Sequence, residues 1–174
     1  MGDRVNGEVR VAERAENLAR QFEEVSAAFA AEMERLSPAQ WTAFSPEEGR
    51  TVAALARHVA WAYEAEMGIF VAIAEGRPYD PFSDASLARI NAEDGQAYAD
   101  CDQAETVTLL RSSAARTAAA VRALTDDQLA RTGLAFEENE AGSVGDWIDY
   151  VLIGHPGLHL ESIRAAAGSE AQSD

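Results

Sequence analysis

Residues 11–36, VAERAENLARQFEEVSAAFAAEMERL, decide the fold. Val11, Ala15, Leu18, Phe22, Val25, Phe29, Met33 and Leu36 recur at steps of three and four, which puts them in one stripe along a helix. Arg, Glu and Gln occupy most of the other positions. The helix is expected to stop near Leu36, because Ser37-Pro38 disfavours its continuation and reads as the cap and first position of a short turn. The following connection, from Pro38 to Arg50, carries Trp41 and Phe44, both expected to seal one end of the core.

Outward from this helix, the same period returns. Thr51 can cap a second helix running to about Ala74, ended by Gly76 and Pro78. At about 100° per residue, Val52, Leu55, Val59, Ala62, Tyr63 and Phe70 share its apolar face. His58 lies on the edge of that face, Glu66 near its centre, and Trp61 opposite it. PFSDASLARINAEDGQAYAD (residues 81–100) predicts a shorter helix with Leu87, Ile90, Ala97 and Tyr98 inward, and with Asn91 and Asp94 on much the same side. Asp102 and Glu105 have capping-box spacing ahead of a third long stripe of Val107, Leu110, Ala114, Thr117, Val121 and Leu124. Thr125 to Ala130 reads as one further turn. Ser143 begins the last helix, with Val144, Trp147, Ile148, Val151 and Leu158 in its stripe. His155 and His159 join that stripe if the helix passes through Pro156-Gly157, where proline removes the bond to the Leu152 carbonyl and should kink it.

Four amphipathic helices with little strand pattern between them imply an all-α fold. The expectation is a four-helix bundle, one domain over residues 1–174, with a long crossover between helices two and three. No repeat supports a solenoid, and the tail after Ala167 is expected to fray. Composition agrees: of 174 residues 47% are hydrophobic, too many for a disordered chain, yet only 7% are aromatic. Fourteen Lys+Arg against 30 Asp+Glu leave a charge of −16, which argues against nucleic acid and anionic membrane surfaces as partners. The single Cys101 excludes an intrachain disulfide or a cysteine-rich metal site. No signal or spanning segment is evident, and a cytoplasmic location is expected.

The chain has three histidines, His58, His155 and His159, all at or in inward faces. His155 and His159 are four apart, so both rings reach one point beside their helix. A third imidazole from helix two would complete a facial site for zinc, nickel or ferrous iron, with an open position for chemistry. Glu66 lies two turns beyond His58, about 12 Å along the axis, too far for both to hold one ion. It is therefore a partner of a ligand or a substrate contact. Tyr63 and Glu66 are the candidates for proton handling, although Tyr63 also reads as plain core packing.

Two segments carry a family resemblance. GRTVAALARHVAWAYEAE (49–66) resembles the second helix of the DinB-like superfamily, where a metal-ligand histidine follows an Ala/Leu-rich turn. GSVGDWIDYVLIGHPGLHLESIRAAA (142–167) resembles its last helix, with two histidines four apart. LSPAQW (36–41) is similar to the turn after helix one in the group of mycothiol-dependent maleylpyruvate isomerase N-terminal domains. Arg50 stands where that family frequently has tryptophan. The resemblance implies a four-helix bundle, often dimeric, with a divalent ion on a triad that maps here to His58, His155 and His159. It also implies chemistry on a small-molecule substrate using mycothiol, bacillithiol or glutathione, or metal-dependent hydrolysis.

The function expected is thus a metal-dependent enzyme, foremost a thiol-dependent transferase or isomerase, with a low-molecular-weight thiol as co-substrate. The other reading is a noncatalytic dimeric bundle that binds a small ligand or a protein. A homodimer is expected in either case, packed around an outward-facing Trp61.

Overall fold

The computed structural model describes residues 3–170, with side chains described from 13 to 168. Val11 of the first stripe therefore lies outside the described side chains. Four long helical runs form the bundle: α1 (Asp3–Arg35), α3 (Val52–Glu75), α5 (Gln103–Arg122) and a composite last helix. That last helix comprises α7 (Val144–Trp147), a π turn (Ile148–Ile153) and α8 (His155–Glu170). It continues three residues past the point where fraying was expected; residues 171–174 lie outside the described ones. The short α2 (Pro38–Thr42), α4 (Asp84–Ala97) and α6 (Asp126–Leu129) lie in the connections, α4 within the long crossover between α3 and α5.

The local signals act as read. Ser37 and Gln40 form a reciprocal capping box at α2, as do Thr125 and Gln128 at α6. Thr51 caps α3, and Gly76 ends it in the left-handed region. The Asp102 side chain accepts from the Glu105 amide at the start of α5. The core joins Phe22, Phe29 and Met33 of α1 to Leu55 and Phe70 of α3, Leu110 of α5 and Ile148 of the π turn. Tyr63 packs edge-on against Phe22, ring centres 4.9 Å apart.

One aromatic and one helix depart from expectation. Trp41 is buried and donates its indole N–H to the Cys101 carbonyl at 2.8 Å, but Phe44 is exposed. Phe44 opens a two-residue strand, β1 (Phe44–Ser45), which pairs with β2 (Arg50–Thr51). The hairpin turns Phe44 away from the bundle and carries its turn residues towards α8. Gly49, at φ 66°, closes this turn by donating to the Ser45 carbonyl at 2.9 Å. Helix α4 is the other departure: it has no fully buried residue, and Ala97 is exposed. Its neighbours are the hairpin and α3, and its polar side faces them.

Just ahead of Pro156, where a kink was expected, the helix widens into the π turn. A Cβ at Gly154 would stand 2.5 Å from the Tyr150 carbonyl oxygen, so glycine lets the turn close. The π turn holds one residue more than an α turn, which sets everything beyond it back by about 100°. Leu158, expected in the stripe, is consequently 65% exposed, while Ile163 and Ala166 enter the core.

The long connections are pinned together. The Phe82 amide donates to the Ala135 carbonyl at 3.0 Å, and the Glu137 amide to the Phe82 carbonyl at 2.8 Å. β3 (Thr132–Gly133) and β4 (Gly142–Ser143) close the second connection just before α7.

Candidate metal centre

The structure brings all three histidines together. His58 comes from α3, whose Thr51 cap fixes the helix start two turns earlier; His155 and His159 come from the first turns of α8. One ligand atom from each lies within 4.8 Å of the others. The ring centres are 5.5 Å apart for His58–His159, 6.3 Å for His58–His155 and 4.5 Å for His155–His159. His58 and His159 are buried, while His155 keeps some exposure.

Each imidazole faces a carboxylate with its Nδ1, and the three carboxylates come from three different elements. His58 Nδ1 donates to Asp94 of α4 at 3.3 Å, and His159 Nδ1 to Glu48 of the hairpin at 2.9 Å. His155 Nδ1 stands 3.2 Å from Glu66 Oε1 of α3. A carboxylate that accepts from Nδ1, as at His58 and His159, fixes the tautomer and leaves the Nε2 atoms to face the cluster. Those of His155 and His159 meet at 2.8 Å.

Behind the hairpin carboxylate lies Arg50, which is 96% buried by its 4% side-chain exposure. Its guanidinium donates to Glu48 Oε2 and to Asn91 Oδ1, both at 3.0 Å. Gly95 makes room for it, since a Cβ there would lie 3.0 Å from Arg50 Cγ. The electrostatics follow from this packing. The His159 hydrogen bond, aided by Arg50 and opposed by burial, holds Glu48 far below the usual carboxylate range, at about 2. Burial first, then the charge of Arg50, pushes His58 down to about 3, so its ring is neutral. Burial raises Asp94.

The cluster opens on a cavity of about 630 Å³. Glu66 lines it; Tyr63 does not, its ring being in the core with a hydroxyl that has no hydrogen-bond partner. Burial, with Glu66 adding to it, raises the Tyr63 phenol. Trp61 lines the cavity as well. It points away from the main stripe, but its exposed face looks into the cavity rather than off the bundle, and its ring centre is 5.8 Å from that of His58. Sequence reasoning did not single out Glu48 or Asp94 as histidine partners. The usable signals were Arg50 at a position the resemblance gives to tryptophan, and the polar side of α4.

Three converging imidazoles, each with a carboxylate beside its Nδ1, suit a first-row divalent ion, whose bonds to imidazole are about 2.0–2.1 Å. Fold and site together define a helical bundle with a three-histidine centre at the mouth of a pocket. A sequence model of the DinB superfamily matches residues 21–163, and the chain belongs to that superfamily. Two solved structures share the fold. One is YfiT from Bacillus subtilis, described as a probable metal-dependent hydrolase with an unusual four-helix bundle topology. It is 21% identical at a TM-score of 0.69, over 91% of this chain and 89% of that one. The other is a mycothiol-dependent maleylpyruvate isomerase, 16% identical at a TM-score of 0.61. That match covers 90% of this chain but only 59% of the isomerase chain. No curated protein sequence matches significantly. Among the described residues, no helix is long and apolar enough to cross a membrane.

Proposed function

We propose that the protein is a metal-dependent enzyme acting on a small molecule, with a divalent ion held by His58, His155 and His159. One observation carries this reading. One ligand nitrogen from each of the three rings lies within 4.8 Å of the others, and the Nε2 atoms of His155 and His159 meet at 2.8 Å, a convergence that one divalent ion can satisfy in place of an N–H···N hydrogen bond. A bound ion supplies Lewis acidity that makes a low-molecular-weight thiol, or a water, nucleophilic at neutral pH.

The chain's own residues do the rest. Glu48, Glu66 and Asp94 orient the three rings, and Arg50 holds Glu48 in place. The cavity beside the cluster admits the substrate and sets its orientation. Cys101, the chain's one thiol, lies outside the cavity lining: it is half-buried, hydrogen-bonded to Thr106, and raised by burial. Thiol transfer or thiol-assisted isomerisation is the first reaction class, hydrolysis the second. Exposed Phe44, Tyr150 and Leu158 support a homodimer.

The test is elemental analysis of untagged protein, followed by assays of the zinc, nickel and ferrous forms with thiols and, separately, with esters and amides. Stoichiometric metal with metal-dependent turnover supports the reading. Metal-free protein that cannot be loaded overturns it in favour of a noncatalytic binding module.

A further inference from the structure

A continuous row of aromatic rings leads away from the histidine cluster. From His58 the centres step 5.8 Å to Trp61, 6.3 Å to Phe82, 5.7 Å to Phe136 and 5.7 Å to Trp147. Trp147 is core. Trp61, Phe82 and Phe136 instead line the cavity and remain partly exposed. Their placement is built: Phe82 and Phe136 lie on the two long connections, which are tied together by two backbone hydrogen bonds at Phe82. Apolar rings left facing a cavity forgo burial that a core position would give them, so this wall has an occupant to gain from.

Charge narrows the occupant. The acidic residues lining the cavity are Glu48, Glu66 and Asp149; Arg50 is the one Lys or Arg among the described lining, and the three histidines lie together at the cluster. The terminal nitrogens of Arg50 already donate to Glu48 and Asn91, and the proposed ion sits at the histidines, so the described lining offers no further Lys or Arg to an anion on a ring.

We infer that the cavity takes a small molecule with an uncharged planar aromatic ring, seated against Trp61 and Phe82 and joined by a short linkage to the group that reacts at the histidines. The inference rests on the metal-enzyme reading for the position of the reacting group, and on the ring wall alone for the ring. Aromatic pairs prefer offset or edge-on contact at centre distances of 4.5–7 Å, the spacing at which this row is already set.

The experiment is calorimetric titration of the full-length protein as purified, with its metal content measured in the same sample. The probes are acetanilide, its saturated counterpart N-cyclohexylacetamide, and its anionic counterpart 4-acetamidobenzoate. Acetanilide is expected to bind at one site, about tenfold or more tighter than either counterpart. Trp61→Ala and Phe82→Ala should each weaken it at least about fivefold with metal content unchanged. Trp61 is outside the core, so its variant serves even if Phe82→Ala does not fold. Absence of saturable binding, equal binding of the saturated or anionic probe, or unchanged binding in Trp61→Ala overturns the inference. Each of these is distinguishable from failure of the metal reading, which appears in the metal content alone.

Discussion

The Nδ1 atom of His155 stands 3.2 Å from Oε1 of Glu66, so a carboxylate buried on α3 orients an imidazole on α8. The contact spans the bundle between its second and last helices and makes Glu66 part of the site without making it a ligand. Glu66→Gln and Glu48→Gln should each weaken zinc binding about 10–100-fold, because the amide no longer sets the ring tautomer as strongly. His159→Ala should lose stoichiometric metal altogether. Competition with a chromophoric chelator measures both, and circular dichroism should show the helices intact.

Tyr63→Phe separates a core role from a catalytic one. The substitution removes a buried hydroxyl that has no partner, so stability should be unchanged or rise by up to about 1 kcal/mol. Metal affinity and turnover should be those of the wild type. A drop in turnover at unchanged metal content would return Tyr63 to the chemistry.

Arg50→Met should cost about 2–4 kcal/mol in urea unfolding, because it strips a buried cation from Glu48 and leaves Asn91 Oδ1 without its donor. An unchanged midpoint would mean that the hairpin is held by other contacts.

Acid should destabilise the fold in two overlapping windows. An unfolded histidine takes its proton near pH 6.5, whereas His58 in the fold takes one only near 3. Between those values the unfolded chain binds more protons, so stability falls as pH drops, by a few kcal/mol in order of magnitude. Glu48 has the same sign: its contribution is present above the ordinary value of 4.5 and is lost as pH falls towards about 2. Urea midpoints measured without metal from pH 7.5 to 4 check this. A level profile between pH 7 and 5 would contradict a neutral, buried His58.

Gly154→Ala should disturb the π turn, since its Cβ would meet the Tyr150 carbonyl. Metal affinity should fall together with stability, the latter by about 1–3 kcal/mol. A variant that keeps full affinity would show that the cluster tolerates a change of helix phase.

The bundle was legible because its apolar residues repeat at helical spacing and its caps are local: Ser37, Thr51 and Ser143 each bind an amide three residues on. The histidine triad was legible for the same reason, through inward phase and four-residue spacing. Leu158 shows where the method ends. A single angular step per residue cannot anticipate a π turn, which here lies next to Pro156, a residue with no amide to donate, and Gly154, which fits against the Tyr150 carbonyl. Glu48 and Asp94 were hidden differently. One sits in a tight turn and one on a marginal helix, and neither position has a phase relative to the core from which burial could be read. Trp61 has the direction its phase gives, away from the main stripe, and what the phase could not show is that the cavity reaches it there.

The hydrogen bond between Glu48 and His159 joins positions 111 apart in the chain, against 36 for Asp94 and His58. The cluster needs α3, α4, the hairpin and α8 in place at once, so its completion is expected after α1, α3 and α5 have collapsed on one another. Interactions completed beyond the folding barrier slow escape from the native state and leave the rate of reaching it alone. The cluster should therefore bear on how long the folded molecule lasts. An ion captured there should lengthen the protein's lifetime against heat and proteolysis by slowing unfolding, with refolding no faster than before.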